Sequence, residues 1–283
     1  MTYREIPPAP ADGAHPLGRH VNHDPRSRAF AHLASGRTLQ SVRHTRHAPV
    51  LDQGSLGSCT GNALTGALAS DPLYAGLPSG TELDEAKAVE IYSAATKVDP
   101  YDGDYPPTDT GSDGLSVAKV ATTLGLISGY RHAFSLDDAL DALQDGPVIT
   151  GVNWFAGFDN PDGDGNVSIS GAIRGGHEIV VDQYDADHGR IGLTNSWGEG
   201  WGLDGRFFMS TATWGKLLEQ DGDATILVPA NAPAPTPEPT PTGGASFLDA
   251  DPVLAARVAR AAARRGMSIE DWLLNNLKHY FTR

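Results

Sequence analysis

The chain has a single cysteine, Cys59, in 283 residues. That excludes an internal disulfide and points to the reducing cytoplasm, or to a virion assembled in one, rather than to secretion. No apolar run reaches the roughly 18 residues that a bilayer-spanning helix requires, so no membrane association is expected. The opening stretch MTYREIPPAPADG has no basic start followed by an apolar segment, and no signal peptide is read in it. Internal repeats are absent.

Positive charge is scarce where most of the chain lies. Residues 48–230 carry eight Lys/Arg against 27 Asp/Glu. Such a body repels phosphate, so nucleic-acid binding is not expected. Residues 1–47 are the reverse, with seven Arg against three acids, and they hold six of the ten histidines. A basic, His-rich arm (1–47) lying on its own acidic body is the reading this asymmetry favours. His15, His20, His23, His32, His44 and His47 include two pairs three residues apart, at 20/23 and 44/47. A closed zinc site needs about four ligands and the arm has no cysteine, so no metal is expected.

Proline and threonine punctuate the other end. Residues 231–244 form a Pro/Thr-rich linker that favours extended polyproline II, and 245–283 form a separate small element. In the body (48–230) helix signals precede strand signals. Ala63, Leu64, Ala67 and Leu68 share a helical stripe, and ELDEAKAVEIYSAAT is a second helix with Leu83, Ala86, Val89 and Tyr92 inward. LSVAKVATTLG is a third, and SLDDALDALQDG, capped by Ser135, a fourth. Strands are read in PVITGV, HEIVVDQY, RIGLTN and GRFFMS. Helices followed by strands imply an α+β fold.

The lone thiol sits after Gly57-Ser58, where a helix begins. Unpaired N–H groups and the helix dipole favour a thiolate there, and a thiolate is a nucleophile. A lone cysteine before a small-residue helix is also a common buried apolar side chain. Two distant stretches favour chemistry. GGHEIV presents His177 as a base, and NSWGEGWGLDG presents Asn195 as the group that holds its ring. Gln53 offers a side-chain N–H for an oxyanion, beside the backbone N–H of Cys59.

In DQGSLGSCT, GGHEIV and NSWGEGWGLDG, in that order, the sequence resembles the papain-like cysteine peptidases from about Pro49 to Val228. The resemblance implies two lobes, one helical and carrying Cys59, the other twisted, antiparallel and carrying His177 and Asn195. It implies a cysteine endopeptidase with an acyl-enzyme on Cys59, His177 as acid and base, Asn195 as orienter, Gln53 at the oxyanion and Trp197 as a shield. No cofactor is implied. The implied partner is a protein or peptide substrate, met by Gly57, Ser58, Gly111, Ser112, Gly151, Gly175, Gly176 and Trp197. In relatives the stretches of Gly151 and of Gly175-Gly176 line the main specificity pocket, and glycines there would leave it roomy.

The departures are specific. Leu56 stands where many members have a disulfide cysteine, as in disulfide-free bacterial, archaeal and viral types. Thr60 replaces a tryptophan, and Glu178 replaces a small residue after the histidine. Adjacent strand residues face opposite sides, so Glu178 is expected to point away from the imidazole. A binding or structural component, for example of a virus particle, with little turnover is the alternative reading. A peptidase of peptidoglycan peptides is a variant of the first. The arm is too short for a full helical prodomain; a short blocking segment is the alternative it leaves. DNPDGDGNVS (159–168) reads as a Gly/Asp turn, since an EF-hand alignment puts Gly171 where a bidentate Glu belongs. The tail loosely resembles a ribbon-helix-helix layout, and its apolar faces suit self-association or docking on a protein partner.

Overall fold

The N-terminal segment, the helices and the sheet pack as one unit that ends at Pro237. The computed structural model of the chain describes residues 2–6 and 15–237. Residues 238–244 of the linker and the helical tail expected at 245–283 lie outside the described residues. An antiparallel ribbon joins β1 (Thr2–Arg4) to β2 (Val21–His23), and two short strands follow, β3 (Ala31–His32) and β4 (Val42–Arg43). Three helices come next: α1 (Cys59–Leu68), α2 (Glu85–Ala95) and α3 (Gly114–Thr123). The second half runs β5 (Ile127–Ala133), α4 (Leu136–Leu143), β6 (Val148–Phe155), β7 (Ile173–Asp185), β8 (Arg190–Thr194), β9 (Arg206–Ser210), α5 (Thr211–Glu219) and β10 (Asp223–Pro229).

α1 is the central element, with every residue buried. Small residues allow this: a Cβ on Gly61 would overlap the Ala88 carbonyl oxygen of α2, so the two helices touch backbone to backbone. Side-chain caps start the others, with Asp84 accepting from Lys87 N, Asp113 from Ser116 N and Ser135 from Asp138 N. The inward face of α2 is Ala88, Ile91, Tyr92 and Ala95, not the face expected through Ala86 and Val89. Residues 88, 91, 92 and 95 are the i, i+3, i+4, i+7 stripe. Leu83 is buried ahead of the cap, outside the helix. The helical lobe closes around Leu64, Leu68, Ile91, Val117 and Ile127.

The strands form an eight-stranded sheet in the order β3-β5-β10-β6-β7-β8-β9, with β4 also on β7. The body strands are antiparallel neighbours, and β6 and β7 pair from Val148↔Val181 to Phe155↔Ile173. Trp154, Trp214, Phe207 and Met209 fill the second core. β5, β10 and α5 were not among the expected elements. ISGYRHA and DATILVP carry glycine, aspartate and charge, which weaken a strand signal, but both lie between paired neighbours in the sheet.

The arm expected at 1–47 is integrated with the body. β3 runs parallel to β5 and β4 antiparallel to β7, so 31–47 lies along the sheet. Arg37 reaches both Asp141 and Asp145, and His32 Nε2 lies 3.1 Å from Asp141. Among the described residues no helix is long and apolar enough to cross a membrane.

Candidate active site

Cys59 is the first residue of α1, and its side chain is buried. Backbone bonds fix the loop before it. Gln53 N donates to Ser196 O at 2.9 Å, Leu56 N closes a turn on Gln53 O, and Gly57 N donates to Asp109 Oδ2 at 2.8 Å. Tyr92 Oη donates to the other Asp109 oxygen at 2.5 Å and accepts from Gly111 N at 2.9 Å. The Tyr92–Asp109 pair therefore holds both the Gly57 and the Gly111 walls around the thiol. Sequence reading missed this pair, because a tyrosine on an apolar helix face reads as core.

His177 lies on β7 opposite Val152 of β6, and Asn195 follows β8. His177 Nε2 is 2.7 Å from Asn195 Oδ1, an acceptor, so Nε2 carries the proton. Asn195 Oδ1 also accepts from Ser196 N at 2.8 Å, which sets the amide. Among the described residues Nδ1 of His177 has no partner and is placed to take a proton. Trp197 lies over the pair, 5.0 Å from the His177 ring and 5.0 Å from Trp154. The structure thus brings together His177 of GGHEIV and Asn195 and Trp197 of NSWGEGWGLDG. Glu178 does face away from the imidazole, into a separate pocket.

The cleft beside Cys59 is occupied by the chain's own residues 15–20. His15 stacks on Trp197 at 4.4 Å. The Pro16 carbonyl accepts from Gln53 Nε2 at 3.3 Å, which also donates to Leu56 O at 2.8 Å; Gln53 Oε1 accepts from Ser196 Oγ at 2.6 Å. The Gly18 N–H points at the Cys59 thiol. Gly18 O accepts from Ser112 N at 2.8 Å, Arg19 N donates to Gly176 O at 3.0 Å, and His20 N donates to Ser112 O at 2.7 Å. Only glycine fits at 18, since any Cβ there would overlap Gly57 O. Arg19 enters the pocket beside Gly151.

The expected contact residues divide on this geometry. Gly57, Gly111, Ser112, Gly151, Gly176 and Trp197 all meet the segment. Ser58 does not: its Oγ turns into the helical lobe and donates to Asn62 Oδ1 at 2.9 Å. Gly175 pairs with Trp154 across the sheet, and its neighbour Gly176 makes the contact. The room expected beside Gly151 is filled. Arg19, Glu178 and Asp223 occupy the space that side chains at 114 and 151 would take.

Burial sets the charge states. It pushes the Cys59 thiol up to about 12, against the hydrogen bonds from the Glu178 and Gly18 backbones and the nearby Arg19. It pushes His177 down to about 4, against the Asn195 bond. The expectation of a thiolate is therefore not met with the segment seated. Removing water costs the charged forms more than the α1 N-terminus returns. The arm histidines are used one by one, His20 on Thr110 O, His44 on Leu143 O and His47 on Asp71. The 159–168 turn consumes its own carboxylates: Asp162 Oδ1 accepts from Asp164 N and Asn166 N, and Asp159 pairs with Arg174.

No family model and no curated protein matches this chain. Solved structures do. Xylellain, a cysteine protease from Xylella fastidiosa, aligns over 78% of this chain and 99% of its own at 16% identity and a TM-score of 0.62. Digestive procathepsin L 3 of Tenebrio molitor larval midgut aligns over 76% of each chain at 17% identity and a TM-score of 0.51. The ragweed pollen cysteine protease Amb a 11, in its proform, aligns over 81% of this chain and 68% of its own, at 16% and 0.51. The fold is papain-like, with a helical N-terminal lobe and an antiparallel β lobe. At these identities the likeness is one of fold.

Proposed function

We propose that this chain is a cysteine endopeptidase that its own residues 15–20 hold latent. The observation that carries this reading is a peptide segment lying across Cys59, with a carbonyl on the Gln53 amide and an N–H at the thiol. Once the segment leaves, water reaches the thiol, and the Cys59 proton passes to His177 Nδ1. The thiolate attacks a substrate carbonyl carbon. Gln53 Nε2 and the Cys59 N–H stabilise the oxyanion, in place of the Pro16 contact. The C–N bond breaks as imidazolium protonates the leaving amine. Water, deprotonated by His177, then releases the acyl group and restores the thiol. Asn195 holds the ring throughout, and Trp197 keeps water from that bond.

The second reading, a binding component with little turnover, draws on the neutral thiol and imidazole of the seated form. Peptide hydrolysis measured in the Gly18→Val background, where the segment cannot seat, separates the two. Cys59→Ala is expected to abolish turnover, His177→Ala nearly so, and Asn195→Ala to leave a residue. Gln53→Ala is expected to cost about 2.7–4 kcal/mol, roughly 10²–10³ in kcat. No hydrolysis in Gly18→Val, or a background rate unchanged by Cys59→Ala, would move the chain to the binding class.

A further inference from the structure

Arg19 is 0% exposed, although arginine is seldom buried so completely. Its main chain is held by groups that any residue would satisfy: Arg19 N donates to Gly176 O, while the backbone of Ser112 bonds the flanking Gly18 O and His20 N. Its side chain is held by something selective. The guanidinium forms an ion pair with Asp223, and Nη2 also donates to Asp221 O at 2.8 Å. Glu178, fully buried, supplies a second carboxylate to the same space: a Cβ on Gly151 would lie 2.7 Å from both Glu178 Oε2 and Asp223 Oδ2. A Cβ on Gly114 would lie 2.8 Å from Glu178 Oε1. The two glycines are what make room for two acids and one guanidinium.

The pairing is incomplete. Among the described residues, Arg19 Nε and Nη1, both Glu178 oxygens and Asp223 Oδ1 have no hydrogen-bond partner. A permanent structural ion pair left this way stabilises little, because the desolvation cost of each charge is not offset by full bonding. A site built to exchange its occupant has no need of one fixed geometry. Glu178 adjoins His177 on β7 but faces the opposite side, so the acidic pocket opens one residue from the proposed base.

We propose that the pocket of Glu178, Asp223, Gly114 and Gly151 is a substrate subsite for an arginine side chain, and that Arg19 is its internal occupant. This rests on the peptidase reading above and names its substrate class: peptides with an arginine next to the residues at the reacting centre. Arginine is preferred to lysine. The N–H groups of Arg19 are spread over separate nitrogens: Nη2 donates to Asp223 and to the Asp221 carbonyl, while Nε lies against Gly151, where Glu178 Oε2 and Asp223 Oδ2 also converge, a spread that one ammonium nitrogen does not span.

The test uses the full chain carrying Arg19→Ala, which vacates the pocket and loosens the segment. Ethylguanidine at millimolar concentration is expected to raise the melting temperature of Arg19→Ala but not of wild type, and ethylamine to do so less. Adding Glu178→Gln and Asp223→Asn should remove the effect. If Arg19→Ala does not fold, Arg19→Ser, which also leaves the pocket empty, takes its place in both measurements. In a fluorogenic peptide set varied at one position at a time, arginine at one position near the cleaved bond is expected to exceed leucine by about 10- to 100-fold in kcat/KM. The two acid substitutions should level that preference. Cleavage without an arginine preference, or no selective response to ethylguanidine, overturns the subsite. Ethylguanidine binding without any cleavage keeps the subsite and overturns the peptidase reading instead.

Discussion

Cys59 is the only thiol, so one alkylation experiment reads the state of the site without ambiguity. Burial under residues 16–18 holds it at about 12. At pH 7 the thiolate fraction is then about 10⁻⁵, against about 3% for a free cysteine of pKa near 8.5, a factor of roughly 3,000. A more basic thiolate is also a better nucleophile, by a Brønsted slope of about 0.4–0.5, which returns a factor of about 30–50. The net expectation is alkylation roughly 10²-fold slower than a free thiol, before any steric protection. Wild-type labelling should rise about tenfold per pH unit up to pH 10 and beyond. Gly18→Val is the perturbation, since its Cβ would overlap Gly57 O and lie 2.9 Å from Gly57 Cα. Neither contact can be relieved by a rotamer change, so the segment must lift. Water then reaches the thiol, and the α1 N-terminus and the free Nδ1 of His177 favour thiolate. Iodoacetamide labelling followed by mass spectrometry at pH 6 should be at least about 100-fold faster in Gly18→Val than in wild type. Equal rates in the two proteins, both fast at pH 6, would refute the claim that the segment suppresses the thiol.

Two further predictions concern stability. Burial disfavours the Asp141 carboxylate, but hydrogen bonds from Ser35, His32 and Arg37 outweigh it and hold the group at about 2, below its usual 3.8. A depressed carboxylate contributes stability above its unfolded value and loses it as pH falls, here between about pH 4 and 2, amounting to about 2 kcal/mol. Urea unfolding should show wild type losing more stability than Asp141→Asn from pH 6 to 2.5; parallel losses would contradict this. Gly61→Ala should cost about 1–3 kcal/mol despite alanine's higher helix propensity, because the new methyl meets the Ala88 carbonyl. Unchanged urea stability would show that α1 and α2 separate more easily than their backbone contact implies.

What could be read along the chain was whatever is local. The cap at Ser135, the period of α1 and the apolar strands β6 to β9 follow from residues within a few positions of one another. α5 is equally local, with Ser210 as N-cap and Trp214 and Leu217 one turn apart, but its signal is short and lies among strand signals. β5 and β10 were not legible, because their pairing with each other and with β6 supplies what their composition lacks.

At the site, the three motifs and their order determined which residues could act, and sequence periodicity determined that Glu178 and His177 face opposite sides. Only the tertiary structure decided what Glu178 faces. Arg19 and Asp223 are 204 residues apart, and no local pattern relates them. The basic arm read as a charge asymmetry; its path through the cleft depended on Gly18, Gly111 and Gly176, whose missing side chains let backbone meet backbone. The thiol's charge state was decided in the same way. A helix N-terminus is written in the sequence, but the exclusion of water that outweighs it exists only when residues from both ends of the fold close over Cys59.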